Sequence, residues 1–245
     1  SITTSLAAGA YREGTAVPIA VNLTDAVAAG TKLTIKLNTG AQFDAIAQSA
    51  GKTLSGKYAV VAGHNVAALK VNSISGTVPA DTAGNAFSAA VPVDARNLGD
   101  GKTIRIDTIG PAALSLALAN DVGGDSITND GQVNVGGLEP DATWEWSKNA
   151  GAAFQAGTGA TFTLVPGTYA AGTVVVRQID AAGNVGPTKA NAVPITIDVT
   201  APKVNAFNTT TPAGRYPAGT AIVLKATMSE AVRAGSQLDA TLSNG

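Results

Sequence analysis

Ala16-Val17-Pro18-Ile19-Ala20-Val21-Asn22-Leu23 alternates larger apolar residues with small or polar ones at a period of two. Successive side chains of a strand point to opposite faces, so Val17, Ile19, Val21 and Leu23 share one face and call for a buried side. The same period recurs in Leu33, Ile35 and Leu37, in Ile104 and Ile106, and in Val174 and Val176. Trp144 and Trp146 also stand two apart and would point the same way in a strand. Between these stretches lie turn-forming clusters, among them Gly123-Gly124-Asp125, Asn129-Asp130-Gly131 and Gly157-Thr158-Gly159. Short alternating strands punctuated by such turns predict an all-β chain of sandwich type. The single helix candidate is Phe43–Ala50.

Composition supports this. The apolar fraction is 45%, enough for a sizeable core, but aromatics are only 4%, and 28 glycines and 11 prolines break the chain often. That balance favours many short strands over long helices or a deep ligand cavity. At 245 residues the chain suits two or three domains. Charged residues are 13% and the net charge is −1, so there is no basic field for nucleic acid. No apolar run is long enough for a membrane span. The chain has no cysteine, which excludes disulfides and thiolate metal sites. No signal peptide is visible at Ser1, so an export address is expected outside these residues.

The strongest signal is self-similarity. Residues 8–40 align without a gap to residues 213–245, at an offset of 205, with 13 of 33 positions identical. Tyr11 and Tyr216 precede the turn glycines Gly14 and Gly219, and Leu33 and Leu37 match Leu238 and Leu242. A shorter echo, spaced by 91, relates Ile104–Pro111 to Ile195–Pro202. Each is a strand ending in an aspartate (Asp107, Asp198) with a proline four residues on, which suits a short, stiff connection. Asp81-Thr82-Ala83-Gly84-Asn85 returns as Asp180-Ala181-Ala182-Gly183-Asn184. These marks divide the chain into 1–107, 108–198 and 199–245. The first and third are of one long type, and the second is a shorter type between them. Because Gly245 aligns with Gly40, the third is expected to be the N-terminal part of a repeat, and the sequence a window onto a longer array.

These residues carry a resemblance. Residues 109–202 resemble bacterial immunoglobulin-like modules of giant secreted adhesins and biofilm-associated surface proteins. The matching features are the Asp-x-x-x-Pro lead-in, Leu118-Ala119-Asn120-Asp121, Ile127-Thr128-Asn129-Asp130-Gly131, Thr143-Trp144-Glu145-Trp146-Ser147, Gly167-Thr168-Tyr169 and the Asp180–Asn184 turn. Residues 1–108 are similar to the longer repeats of the same proteins through Gly9-Ala10-Tyr11, Glu13-Gly14-Thr15, Thr24-Asp25-Ala26-Val27 and Asp81–Asn85. Related modules occur in surface-layer proteins and filaments. The resemblance implies tandem immunoglobulin-like β-sandwiches at the bacterial cell surface, without enzymatic activity, acting as rigid spacers in adhesion or biofilm formation.

It also implies structural calcium near the junctions. Carried over by position, the candidates are Asp107, Asp121, Asp130, Asp180 and Asn184, then Asp81, Asn85 and Asp198. Ca²⁺ takes six to eight oxygens, which loops at one end of a sandwich can supply. Aspartate and asparagine are equally favoured in turns for local backbone hydrogen bonds, and the near-neutral charge speaks against a calcium-loaded array. Expected partners are neighbouring repeats, with copies of the same chain or cell-surface glycans as further possibilities. Two other functions stay open: a self-assembling surface-layer or filament subunit, and a carbohydrate-binding accessory module of a secreted enzyme.

Other motifs point nowhere. The only histidine, His64, falls in a turn and is expected to be exposed. Gly51-Lys52-Thr53 and Gly101-Lys102-Thr103 lack the preceding phosphate-loop glycine, since Ile46 and Arg96 stand there, and are expected to be turns. Asp141 and Glu145 are the one carboxylate pair near an aromatic platform, but Trp144 and Trp146 are better used as core anchors.

Overall fold

The computed structural model describes residues 1–78, 86–93, 96–98 and 102–242. All regular structure among them is β. The first eight strands are β1 (Ile2–Thr3), β2 (Gly9–Tyr11), β3 (Ala16–Val27), β4 (Lys32–Leu37), β5 (Gln42–Ile46), β6 (Gly51–Ala59), β7 (Val71–Ser75) and β8 (Ile104–Ile106). Six of them form one sheet in the order β1-β3-β6-β5-β4-β7, while β2 and β8 pair in parallel. Only Ile46 and Ser55 pair β5 with β6. That thin link joins the group β1-β3-β6 to the group β5-β4-β7, and both contribute to one core.

The alternation seen in the sequence decides what is buried. Val17, Ile19 and Val21 of β3 and Leu33, Ile35 and Leu37 of β4 all lie in the core, with Ile2, Leu54, Tyr58, Ile104 and Ile106. Phe43–Ala50 is not a helix. β5 occupies its first half, held by β4 in a register running from Lys32 opposite Ile46 to Lys36 opposite Gln42. Pairing with a formed strand outweighs the modest helix preference of an alanine-containing stretch. Gly51-Lys52-Thr53 opens β6 and is a strand, not a turn. His64 is half-buried instead of exposed: its Nδ1 lies 2.8 Å from the hydroxyl of Tyr58, whose phenol burial pushes above its ordinary pKa.

The next ten strands are β9 (Ser115–Leu118), β10 (Ile127–Thr128), β11 (Gln132–Gly136), β12 (Thr143–Ser147), β13 (Gln155–Ala156), β14 (Thr161–Thr163), β15 (Gly167–Tyr169), β16 (Val175–Ile179), β17 (Lys189–Ala190) and β18 (Ile195–Ile197). They make three small sheets: β14-β11-β9, β13-β12-β16-β17 and β10-β18-β15. A second, separate core collects Leu114, Val133, Trp144, Phe162, Val174, Val176, Ile195 and Ile197. The Trp144 indole N–H donates to the Gly159 carbonyl at 2.9 Å, and Trp146 stacks on Phe162 at 4.5 Å between ring centroids. Gly157 makes room for this: a Cβ there would sit 2.1 Å from the Trp144 ring.

Three buried side-chain amides brace the two cores. Asn97 pairs with both N–H and C=O of Val71, acting as a short piece of strand. Gln178 donates to the Ala112 and Gly137 carbonyls and accepts from the Glu139 N–H. Asn191 accepts from the Val174 N–H and donates to the Ala170 and Val193 carbonyls. In each, both the amide oxygen and the amide nitrogen are hydrogen-bonded, as burial of an amide requires.

The last two strands, β19 (Val204–Thr209) and β20 (Leu224–Met228), form a lone antiparallel pair. Their register repeats that of β1 and β3 at the sequence offset. Ile2 faces Val21 and Thr3 faces Ala20, while Phe207 faces Ala226 and Asn208 faces Lys225. The Tyr11 hydroxyl donates to the Ala7 carbonyl and the Tyr216 hydroxyl to the Pro212 carbonyl, four residues back in both. Gly14 and Gly219 share a left-handed φ of 84° and 88°. The counterpart of β4, around Gln237–Leu242, is not a strand.

Leu33→Ala removes a side chain with no exposed surface and should cost about 2–5 kcal/mol in chemical denaturation followed by far-ultraviolet circular dichroism. The matched Leu238→Ala, at a residue 50% exposed, should change stability by less than about 0.5 kcal/mol.

Candidate functional site

Chemistry-bearing side chains gather where one unit meets the next. At the first junction Asp107 directly follows β8. Its Oδ1 accepts the Ile109 N–H at 3.1 Å, and its Oδ2 pairs with Arg105 at 2.5 Å. At the second junction Asp198 directly follows β18, and its Oδ1 accepts the Thr200 N–H at 2.9 Å. Both aspartates therefore close the same turn, with side chain bonded to backbone two residues on, and Pro111 and Pro202 follow. The 91-residue echo is an echo of this turn.

The first junction is closed from both sides. In the turn after β16, Asp180 Oδ1 accepts the N–H groups of Ala182 and Asn184, both at 2.8 Å, and Asp180 Oδ2 accepts the Asn184 side-chain amide at 2.8 Å. That same amide donates to the carbonyls of Asp107 at 3.0 Å and Ile109 at 3.4 Å. Arg12 reaches over from the first unit to the Gly183 carbonyl at 3.1 Å. Asn65 accepts from the Thr108 N–H at 2.7 Å, and the Thr108 hydroxyl accepts from the Gly63 N–H at 3.1 Å. Backbones touch as well: a Cβ on Gly186 would lie 2.8 Å from the Pro111 carbonyl oxygen, and one on Gly110 3.0 Å from that of Val185.

The candidate calcium residues thus fall into separate groups. Asp107, Asp180 and Asn184 come together, but their polar atoms bond to one another and to backbone, and Asp180 Oδ1 already accepts two N–H groups. Asp121 caps its own loop through the N–H groups of Asp125 and Ser126, and Asp130 closes a turn onto Gln132. Asp198 meets this region through its N–H, which donates to the Thr128 carbonyl. Asp81 and Asn85 lie outside the described residues. No three His, Asp or Glu side chains are grouped for a metal ion among the described residues.

Sequence reasoning missed Glu230. It lies with Asn120, Asn129, Asp198 and Arg233 around a cleft of about 580 Å³ at the second junction, and its Oε1 is buried without a hydrogen-bond partner. Its alignment with Asp25 in the repeat was the available signal. The glycosidase-like pair does not form. Asp141 sits in an exposed turn at a φ of 62°, whereas Glu145 is ion-paired with Arg177, whose guanidinium lies 3.9 Å over the Phe154 ring. A cleft of about 530 Å³ in the first unit, beside Leu23, Val27 and Phe87, has one acidic side chain, Asp25.

No family model matches the sequence, and no curated protein matches it. No helix among the described residues is long and apolar enough to cross a membrane.

Asn184→Ala removes the cross-junction amide and should cost about 1–3 kcal/mol at a half-buried site. Hydrogen exchange should speed up at Ile109 and Ala182 while the Val133 and Val176 amides keep their protection. Gly186→Ala should give the same pattern, because the new methyl displaces the Pro111 backbone.

Proposed function

We propose that this chain is a stretch of tandem immunoglobulin-like sandwiches from an extracellular bacterial surface protein, and that it works as a stiff spacer. The observation that carries this reading is the first junction, where Arg12, Asn65, Asn184 and two aspartate-closed turns tie successive units by direct hydrogen bonds. Two separate cores, each with its own sheets, support the module assignment. A row of such units joined without slack projects whatever it carries and resists bending. Of the carboxylate pair weighed for glycoside chemistry, Glu145 is ion-paired with Arg177 and Asp141 sits in an exposed turn. For the carbohydrate-binding alternative, Trp144 is buried with its N–H used internally, while Trp146 stacks on Phe162 and stays half-buried.

Calcium belongs to this proposal at the second junction only. A buried carboxylate oxygen without a partner is costly, and a hard cation would relieve it. Glu230 and Asp198 would hold the ion, with oxygens from the loop at Asn129. Bound there, it would supply charge neutralisation and fix the angle of the third unit. The first junction fits an ion poorly, because donors already fill its carboxylates.

The test is calorimetry and sedimentation of the full chain. Calcium at about 100 times its Kd should stabilise the wild type by about 2.7 kcal/mol and leave Glu230→Gln unchanged. No difference between calcium and chelator in the wild type would remove the ion from the proposal. The chain should sediment as an elongated monomer. Concentration-dependent ordered assembly would favour the lattice or filament subunit instead.

A further inference from the structure

β2 and β8 pair in parallel, and that direction decides how the first unit answers a pull along the chain. Gly9 stands opposite Ile104 and Tyr11 opposite Ile106. At one end of the pair the Gly9 N–H donates to the Thr103 carbonyl at 3.0 Å. At the other end the Asp107 N–H donates to the Tyr11 carbonyl, also at 3.0 Å. β8 cannot slide alone, because its other edge is bonded to Val66 and Leu69 and because Ile104 and Ile106 lie in the core. The second unit repeats the device. There β10 pairs in parallel with β18, Ile127 opposite Thr196 and Thr128 opposite Ile197. The Thr196 N–H donates to the Ser126 carbonyl and the Asp198 N–H to the Thr128 carbonyl, both at 2.9 Å. Asp107 and Asp198 therefore share two tasks. The carboxylate of each closes the turn into the connection, and the backbone N–H of each makes the last bond of a parallel pair.

We propose that the two parallel pairs are force-bearing clamps, and that the junction aspartate marks where tension leaves each clamp. Tension along the chain enters the first unit ahead of β2 and leaves it after β8. In a parallel pair those points lie at opposite ends, so the two strands are pulled past each other along their own axes. Every hydrogen bond between them is then loaded at once. Forces applied at the same end of the pair would instead open the bonds one after another. Simultaneous loading raises the barrier to rupture without adding to equilibrium stability, and forced unfolding follows the barrier. The clamp requires only that the chain be pulled through its ends. It stands apart from the spacer reading, since a stiff array without clamps and a flexible array with them are both physically possible.

The experiment is single-molecule force spectroscopy of the full chain, with handles attached at introduced cysteines, since the chain has none of its own. Ala8, Thr103 and Ile109 are exposed and suit this. Handles at Ala8→Cys and Ile109→Cys shear the β2–β8 pair, whereas handles at Ala8→Cys and Thr103→Cys peel it from the Gly9 end. Both load the first unit alone. Shearing should need at least about twice the force of peeling at the same pulling speed. Asp107→Pro deletes the final donor of the pair and should lower the shearing force. It should leave the peeling force unchanged, because peeling breaks the Gly9 bond first. Asp107→Ala keeps the N–H and should keep the shearing force. Equal forces in the two geometries would overturn the proposal. So would a drop in both forces with Asp107→Pro, or an Asp107→Ala chain as weak under shear as the proline one.

Discussion

The side-chain amide of Asn184 reaches out of its own turn to the carbonyls of Asp107 and Ile109, which belong to the end of the preceding strand and the connection after it. A carbonyl at a strand end has lost its ladder partner and must find a donor or remain in water. Here the next unit supplies that donor, so completing one unit's hydrogen bonding also fixes its neighbour. Asp180 holds the amide in place, and Arg12 ties the same turn from the other side. Within the second unit, glycines at 110 and 186 let its lead-in at Pro111 lie close against the backbone that follows Asn184. The junction is thereby made of short local bonds, and needs neither a disulfide nor a large apolar interface.

Strands were legible because their burial follows a period of two. Val17, Ile19 and Val21, or Leu33, Ile35 and Leu37, admit no other arrangement with one face inside. The strand at Phe43–Ile46 was not legible, because what makes it a strand is β4 beside it. Asn97, Gln178 and Asn191 look like surface residues in the sequence and are core residues in the fold. Their burial depends on backbone groups distant in the chain, which no local pattern displays. The same limit applies to His64, whose partner Tyr58 lies across a turn.

The aspartates show the other side of this. Asp107, Asp180 and Asp198 all close turns, but an oxygen ligand and an Asx-turn acceptor have the same sequence signature. Only the donors separate the two, and around Asp107 and Asp180 the donors are N–H groups. Glu230 reverses the case: it carries no turn signature, yet holds an oxygen that lacks a partner. The third unit makes a similar point about scale. Its register, tyrosine bond and turn glycines are encoded within some forty residues and form as in the first unit. The counterpart of β4, residues 237–242, is not a strand, and β19 and β20 stand as a two-stranded pair.

Rigidity of the first junction is the claim on which the rest turns. Since the chain has no cysteine, single cysteines at Lys57 and Lys148 place two spin labels unambiguously, one on each side of that junction. Pulsed electron–electron resonance should give one narrow distance distribution, which broadens when Asn184→Ala is introduced. A broad distribution in the otherwise wild-type chain would contradict a stiff joint.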